Sequence, residues 1–183
     1  MKNKTICCDV DGVCADLMKR WLFEYNESYS DNLKSEDIKS WDTDLYVKTE
    51  CGKNIYNYIK YPNEKIYNYV EPIDGSINGI NFLRENEYKI IFVTAFEPKF
   101  SYVKFNWLNK WGFLKEKSEY VETLDKSIIG CDFMIDDKFE NVESCSGIGV
   151  LFTQPHNKNN DWYPRANNWT EVIKIIEGYP INE

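Results

Sequence analysis

Three short apolar runs in this chain each end on a side chain capable of chemistry, and that pattern limits the fold more than any other feature. Thr5-Ile6-Cys7-Cys8 leads into Asp9-Val10-Asp11-Gly12-Val13, Ile91-Phe92-Val93 into Thr94, and Phe133-Met134-Ile135 into Asp136-Asp137. Runs this short, apolar at nearly every position, suit strands covered on both faces, as in parallel sheets. The stretches between them read as helices. Asp16 to about Tyr29 has an N-cap in Asp16 and a face of Leu17, Trp21, Tyr25 and Tyr29. Ser76 to Asn86 carries Ile77, Ile80, Phe82 and Leu83, and Pro98 to Trp111 carries Tyr102, Phe105 and Leu108, with Gly112 as its C′ residue. Tyr120 to Thr123 and Ile148 to Phe152 add two strands, and Trp169 to Ile176 a closing helix. Alternating strands and helices predict an α/β fold, a central parallel sheet with right-handed crossovers and helices on its faces.

The stretch from about Ser30 to Pro72 breaks the alternation. It is rich in Tyr, Asn, Lys and Trp and has no long apolar run. Ser35-Glu36-Asp37-Ile38 reads as a short helix start, and Lys53 to Lys60 as a second short helix with Ile55, Tyr58 and Ile59 inward. Pro72-Ile73-Asp74-Gly75 marks the return to the main fold. The expected organisation is therefore a core of residues 1–16 and 73–183 with a small, mostly helical insertion at 17–72.

Composition narrows the chemistry. A net charge of −8 over 183 residues argues against a broad nucleic-acid surface but leaves room for a small phosphorylated ligand. Six cysteines without a CxxC spacing read as free thiols of a reducing compartment. The basic start Met1-Lys2-Asn3-Lys4 is followed by an apolar run that Asp9 cuts short, and no stretch reaches transmembrane length, so a cytoplasmic location with no membrane contact is expected. One histidine, His156, lies in a polar stretch and reads as a surface loop residue. Ser-His-Asp catalysis and a His-rich zinc site are thereby disfavoured, leaving carboxylates, Lys, Thr and Ser.

Ligands of open parallel sheets gather at the carboxyl ends of the strands, where Asp9, Thr94 and Asp136-Asp137 would converge. Singly each has an ordinary explanation: a turn, a strand end, a helix cap. A calcium loop fails, because Val13 and Arg20 occupy positions where ligands are needed. Taken in order with Lys126, the set reads as Mg²⁺-dependent phosphoryl transfer. Asp9 would be the nucleophile and Asp11 the acid/base, with Gly12 allowing the sharp turn between them. Thr94, the N–H of Ala95 and Lys126 would hold phosphate oxygens. Asp9, Asp11 and the Asp136-Asp137 pair would supply metal ligands. Asp16 fits a helix cap better than a catalytic role. Ser101 and Arg165 are further polar candidates near the site.

This constellation resembles the haloacid dehalogenase-like phosphatases, and within them the 5′(3′)-deoxyribonucleotidase group. The residues carrying that likeness are Asp9-Val-Asp11-Gly-Val-Cys-Ala-Asp16, Phe-Val-Thr94-Ala95, Asp125-Lys126, Asp132-Phe-Met-Ile-Asp136-Asp137, Asn141-Val142, Ile38-Lys-Ser-Trp41 and Asn168-Trp169-Thr-Glu-Val172. The resemblance implies a Rossmann-like three-layer sandwich with a cap over the active site, and a Mg²⁺-dependent 5′-nucleotidase acting on (deoxy)ribonucleoside monophosphates through an aspartyl-phosphate. It favours Asp137 over Asp136 for direct metal contact, with the backbone carbonyl of Asp11. Leu17, Trp41, Tyr46 and Phe23 become candidates to meet the nucleobase, although such aromatics equally serve as cap core. Leu17 stands where the group often has an aromatic residue, and Asp74-Gly75 where it often has Pro-Gly. Related enzymes are often dimers, so a homodimer is a further expectation. A phosphatase of the same chemistry on a sugar phosphate is the second reading. A non-catalytic binding protein is the third, and it would require a broken acid site. No GxGxxG or P-loop occurs, and Gly147-Ile148-Gly149 precedes a strand rather than a helix.

Overall fold

The computed structural model describes residues 4–60, 64–95 and 102–179. The apolar runs form the middle of a six-stranded parallel sheet in the order β3-β2-β1-β4-β5-β6. Its strands are β1 (Thr5–Cys8), β2 (Lys89–Thr94), β3 (Tyr120–Glu122), β4 (Phe133–Asp136), β5 (Ile148–Phe152) and β6 (Arg165–Ala166). Register is set at the centre, where Cys7 lies opposite Ile91 on one side and Met134 on the other. The strand order reverses between β1 and β4, so a crevice opens there at their carboxyl ends.

Seven α-helices accompany the sheet among the described residues: α1 (Leu17–Tyr29), α2 (Asn57–Lys60), α3 (Glu64–Tyr69), α4 (Ser76–Glu85), α5 (Tyr102–Lys110), α6 (Phe139–Ser144) and α7 (Trp169–Gly178). Ile80 and Leu83 of α4, Trp107 and Leu108 of α5, and Val172 and Ile176 of α7 join Ile6, Phe92, Phe133 and Val150 in the main core. Cys7, Val93 and Met134 point to the opposite face. There α6 comes down on β5 because Gly149 has no side chain: a Cβ on it would sit 2.2 Å from the Val142 carbonyl oxygen. Helices on both sides of a parallel sheet make the three-layer α/β sandwich that the alternation of elements predicts.

Residues 17–60 contain a cluster of their own, Trp21, Tyr25, Cys51 and Ile55. It is tied by Trp21 Nε1 donating to the Ile55 carbonyl (2.9 Å) and by the Tyr25 hydroxyl accepting from the Lys48 N–H (2.8 Å). Helix α3, absent from the sequence reading, belongs to the main core instead. Its Ile66 and the following Val70 pack there, and Trp107 Nε1 donates to the Val70 carbonyl (3.0 Å). The six residues of α3 are too few to display a helical period. Strand β6, only two residues long, escaped for the same reason.

Helix α5 requires a correction. Residues 98–101, including the candidate Ser101, lie outside the described residues. From Tyr102 onward the inward face is Val103, Lys104, Trp107 and Leu108, while Tyr102 is exposed. Leu108 is buried as expected and Phe105 half-buried, so the inward face differs from the expected one by losing Tyr102 and gaining Val103, Lys104 and Trp107.

Trp169 links the closing helix to the first loop. Its ring fills the space beside Gly79, where a Cβ would lie 2.4 Å from Trp169 Cε3, and its Nε1 donates to the Val13 carbonyl (2.9 Å). Trp169→Phe keeps an aromatic ring but leaves that buried carbonyl without its donor. We expect a loss of about 2 kcal/mol in urea unfolding. An unchanged midpoint would show that the bond contributes nothing.

Candidate active site

The chain after β1 is wound tightly. The Cys14 and Ala15 N–H groups both donate to the Val10 carbonyl (2.9 and 2.8 Å), and Gly12 N–H donates to the Ala15 carbonyl (2.9 Å). Gly12 has φ +74°, and a Cβ there would fall 2.0 Å from Asp137 Oδ2. Both the turn and the close approach of the Asp137 carboxylate therefore require glycine. Gln154 Nε2 holds the Gly12 carbonyl from β5's side (2.7 Å). Asp16 caps α1 by accepting from the Lys19 N–H (3.4 Å), as its sequence position predicts.

Asp9 ends up beside Lys126. The Lys126 Nζ lies 2.7 Å from Asp9 Oδ1 and 2.7 Å from Asp136 Oδ2, with all three side chains buried. Asp136 is engaged on both oxygens: Oδ2 also accepts from Asn141 Nδ2 (3.0 Å), and Oδ1 from the Lys138 N–H (2.9 Å). Among the described residues, the one ion-pair partner of the Asp137 carboxylate is His156, with Nε2 3.3 Å from Oδ2. That contact is too poorly aimed for a hydrogen bond, and the buried Nε2 has no hydrogen-bond partner among the described residues. His156 is thus not the surface loop residue that its polar neighbours imply. It is buried at the site, its ring 4.3 Å from that of Trp41.

Asp11 is held on both oxygens, by the Tyr67 hydroxyl donating to Oδ1 (2.6 Å) and Lys104 Nζ at 2.7 Å from Oδ2. Lys104 also donates to Thr94 Oγ1 and the Ala95 carbonyl, each at 2.8 Å. Sequence reasoning missed Lys104 and Tyr67. For Lys104 a signal existed: it is the one cation on the stripe formed with Val103, Trp107 and Leu108. For Tyr67 there was none, because α3 itself was not foreseen.

Asp9, Asp11, Thr94, Ala95, Lys104, Lys126 and Asp137 line a cleft of about 220 Å³ together with Leu17 and Trp41. Of the other candidates for meeting a base, Tyr46 bonds to Ser40 (3.2 Å) and Phe23 lies in a separate groove beneath Arg20, so neither lines this cleft. Arg165 is also elsewhere, donating to the Asn157 side chain and carbonyl and to Asn160.

Electrostatics explain why the cluster persists. Burial pushes the Asp9 carboxyl up to about 7, with Asp136 and Asp11 adding to the rise and Lys126 and Lys104 opposing it. Burial raises Asp136 and Asp137 as well. Burial alone would lower Lys126, but Asp9 and Asp136 outweigh it and raise its pKa. Burial and the neighbouring Asp11 keep the Tyr67 phenol protonated. Asp9, Asp136 and Asp137 bring oxygens within 4.8 Å of one another. With Asp11, four carboxyl groups meet two lysines there among the described residues, an arrangement that a hard dication would balance.

The fold is that of the haloacid dehalogenase-like hydrolases. It superposes on a hydrolase from Pseudomonas syringae with a TM-score of 0.60 at 11% identity, covering 96% of this chain and 98% of that one. It also matches the HAD-hydrolase YfnB from Bacillus subtilis, a structure bound to magnesium, with a TM-score of 0.56 at 11% identity over 96% and 99% of the two chains. The sequence goes further. Residues 3–179 match the family model for 5′ nucleotidase, deoxy (pyrimidine), cytosolic type C protein. A 5′(3′)-deoxyribonucleotidase of Clostridium acetobutylicum is 32% identical over 182 residues, 97% of each chain. One of Bacillus subtilis is 32% identical over 176 residues, 95% of this chain and 99% of that one. The chain belongs to the cytosolic type C 5′-nucleotidase family, and with it to the phosphoric monoester hydrolases.

A raised Asp9 has a signed consequence. In the folded, metal-free protein it stays protonated well above the ordinary value of 3.8, so its stabilisation is complete below that value and is lost as pH rises toward about 7. Asparagine carries no such charge. In EDTA, the Tm of Asp9→Asn relative to wild type should therefore climb between about pH 4 and about pH 7 and level off above. A difference that is flat with pH would contradict the raised carboxyl.

Proposed function

We propose that this protein is a Mg²⁺-dependent cytoplasmic 5′-nucleotidase that hydrolyses (deoxy)ribonucleoside monophosphates through an aspartyl-phosphate on Asp9. The observation that carries the reading is the convergence of Asp9, Asp11, Thr94, Lys126 and Asp137 on one cleft, with buried Asp136 paired to Lys126, in a chain of nucleotidase family. The 5′(3′)-deoxyribonucleotidase relatives support the substrate class. Six free cysteines suit a reducing compartment, and no helix among the described residues is long and apolar enough to cross a membrane.

In the first half-reaction an Asp9 oxygen attacks phosphorus in line. The bond from phosphorus to the ester oxygen breaks, its electron pair goes to that oxygen, and Asp11 supplies the proton. In the second, Asp11, now a carboxylate, takes a proton from water as the water oxygen bonds to phosphorus. The Asp9–phosphorus bond breaks, leaving inorganic phosphate and the Asp9 carboxylate. Lys126, Lys104 and the Thr94 hydroxyl hold phosphoryl oxygens as charge shifts among them. The metal would be held by the carboxylates of Asp9 and Asp137 with the Asp11 backbone carbonyl. Asp136 has both oxygens engaged by Lys126, Asn141 and Lys138, and so supports the others rather than binding directly. Bound Mg²⁺ would screen the repulsion between the Asp9 carboxylate and the phosphate. Residues 17–60 would act as the cap, with Leu17 and Trp41 facing the nucleoside.

Phosphate release from a panel of deoxyribonucleotides, ribonucleotides and sugar phosphates tests this, with Mg²⁺ and with EDTA. Release should be strongest on nucleoside monophosphates, vanish in EDTA, and fall on the order of 10³-fold or more in Asp9→Asn. Lys126→Met should cost about 10²-fold. Release confined to sugar phosphates would keep the chemistry and discard the substrate.

A further inference from the structure

We propose that Tyr67 is a positioning residue for the acid/base step: its hydroxyl fixes the rotation of the Asp11 carboxyl so that the proton is delivered to the leaving ester oxygen. The inference rests on the nucleotidase reading above and deepens it. Each Asp11 oxygen is held by a different donor, Oδ1 by the Tyr67 hydroxyl at 2.6 Å and Oδ2 by Lys104 at 2.7 Å. The two donors are not equivalent. Lys104 is shared with Thr94 Oγ1 and the Ala95 carbonyl, on the phosphate side of the cleft. Without a second anchor, Asp11 would be free to turn about its Cβ–Cγ bond and follow that lysine.

Tyr67 does not line the catalytic cleft. It lines a separate groove with Asn68, Tyr102, Val103 and Trp107, and its hydroxyl reaches Asp11 Oδ1. It therefore acts on the carboxylate without touching substrate. Its own helix is held in place. Ile66 and Val70 are buried in the main core, Trp107 Nε1 donates to the Val70 carbonyl (3.0 Å), and Lys110 Nζ donates to the Asn68 carbonyl (3.1 Å). A donor on a fixed element can set a carboxyl orientation that a flexible one cannot.

The role predicts a dependence on leaving group. A nucleoside 5′-alkoxide needs the Asp11 proton as its bond to phosphorus breaks, whereas p-nitrophenolate leaves with the electron pair and needs none. Tyr67→Phe keeps the ring and removes the hydroxyl. We expect kcat/KM, which reports the steps up to departure of the leaving group, to fall about 10- to 100-fold on a 5′-deoxyribonucleoside monophosphate and to stay within about 3-fold on p-nitrophenyl phosphate. The p-nitrophenyl arm also counts folded active sites, so a folding defect appears as an equal loss on both esters. An equal loss of kcat/KM on both esters would overturn the proposal, as would unchanged kcat/KM on both. Wild-type release from both esters, abolished in Asp9→Asn, is the separate control that tests the nucleotidase reading itself.

Discussion

The site depends on one ammonium group. Lys126 Nζ stands 2.7 Å from both Asp9 and Asp136, on side chains withdrawn almost wholly from water. Two carboxylates at the ends of adjacent parallel strands would repel each other, and burial would push both toward the neutral form. The cation between them opposes both effects and gives Asp136 a fixed geometry. That geometry carries forward, because Asp136 is tied to Asn141 and to the first N–H after the Asp136-Asp137 pair. Asp137 is thereby set at the Gly12 turn, where only a residue without a Cβ leaves it space. Removing the lysine would disturb Asp9, the Asp136-Asp137 pair and the Gly12 turn together.

The parts around this centre come from distant segments, and each is fixed by a bond to another layer. Trp169 of the last helix holds the Val13 carbonyl, Gln154 holds the Gly12 carbonyl, and Trp41 from the insertion packs its ring at a tilt against His156 beside Asp137. Asp11 is held from the insertion's end by Tyr67 and from α5 by Lys104. The reactive groups stand at strand ends while their supports come from helices and loops, an arrangement that gives a small cleft a rigid wall.

How much of this could be read from the sequence follows from what sets each feature. β1, β2, β4 and β5 were legible because strands covered on both faces must be apolar almost throughout, and the polar residue ending each run therefore stands out. Asp9, Thr94 and the Asp136-Asp137 pair were found that way, and Asp11 and Gly12 through their adjacency. Lys126 entered through its place in the order of motifs. Lys104 was missed because amphipathic patterning assigns lysine to solvent, whereas here a buried lysine is stabilised by Asp11. His156 was misread because a polar loop sequence does not reveal that the loop folds under Trp41. Tyr67 depended on a six-residue helix whose placement is tertiary, set by packing on Trp107 rather than by local pattern.

The central claim is that Asp9 carries the phosphoryl group. Acid quenching within one turnover of a phosphate-labelled 5′-deoxyribonucleoside monophosphate, then peptide mapping of the protein, tests it most directly. The account predicts label on the peptide containing Asp9, discharged by hydroxylamine as an acyl phosphate and absent in Asp9→Asn. Turnover with no covalent label, or label on another residue, would contradict it.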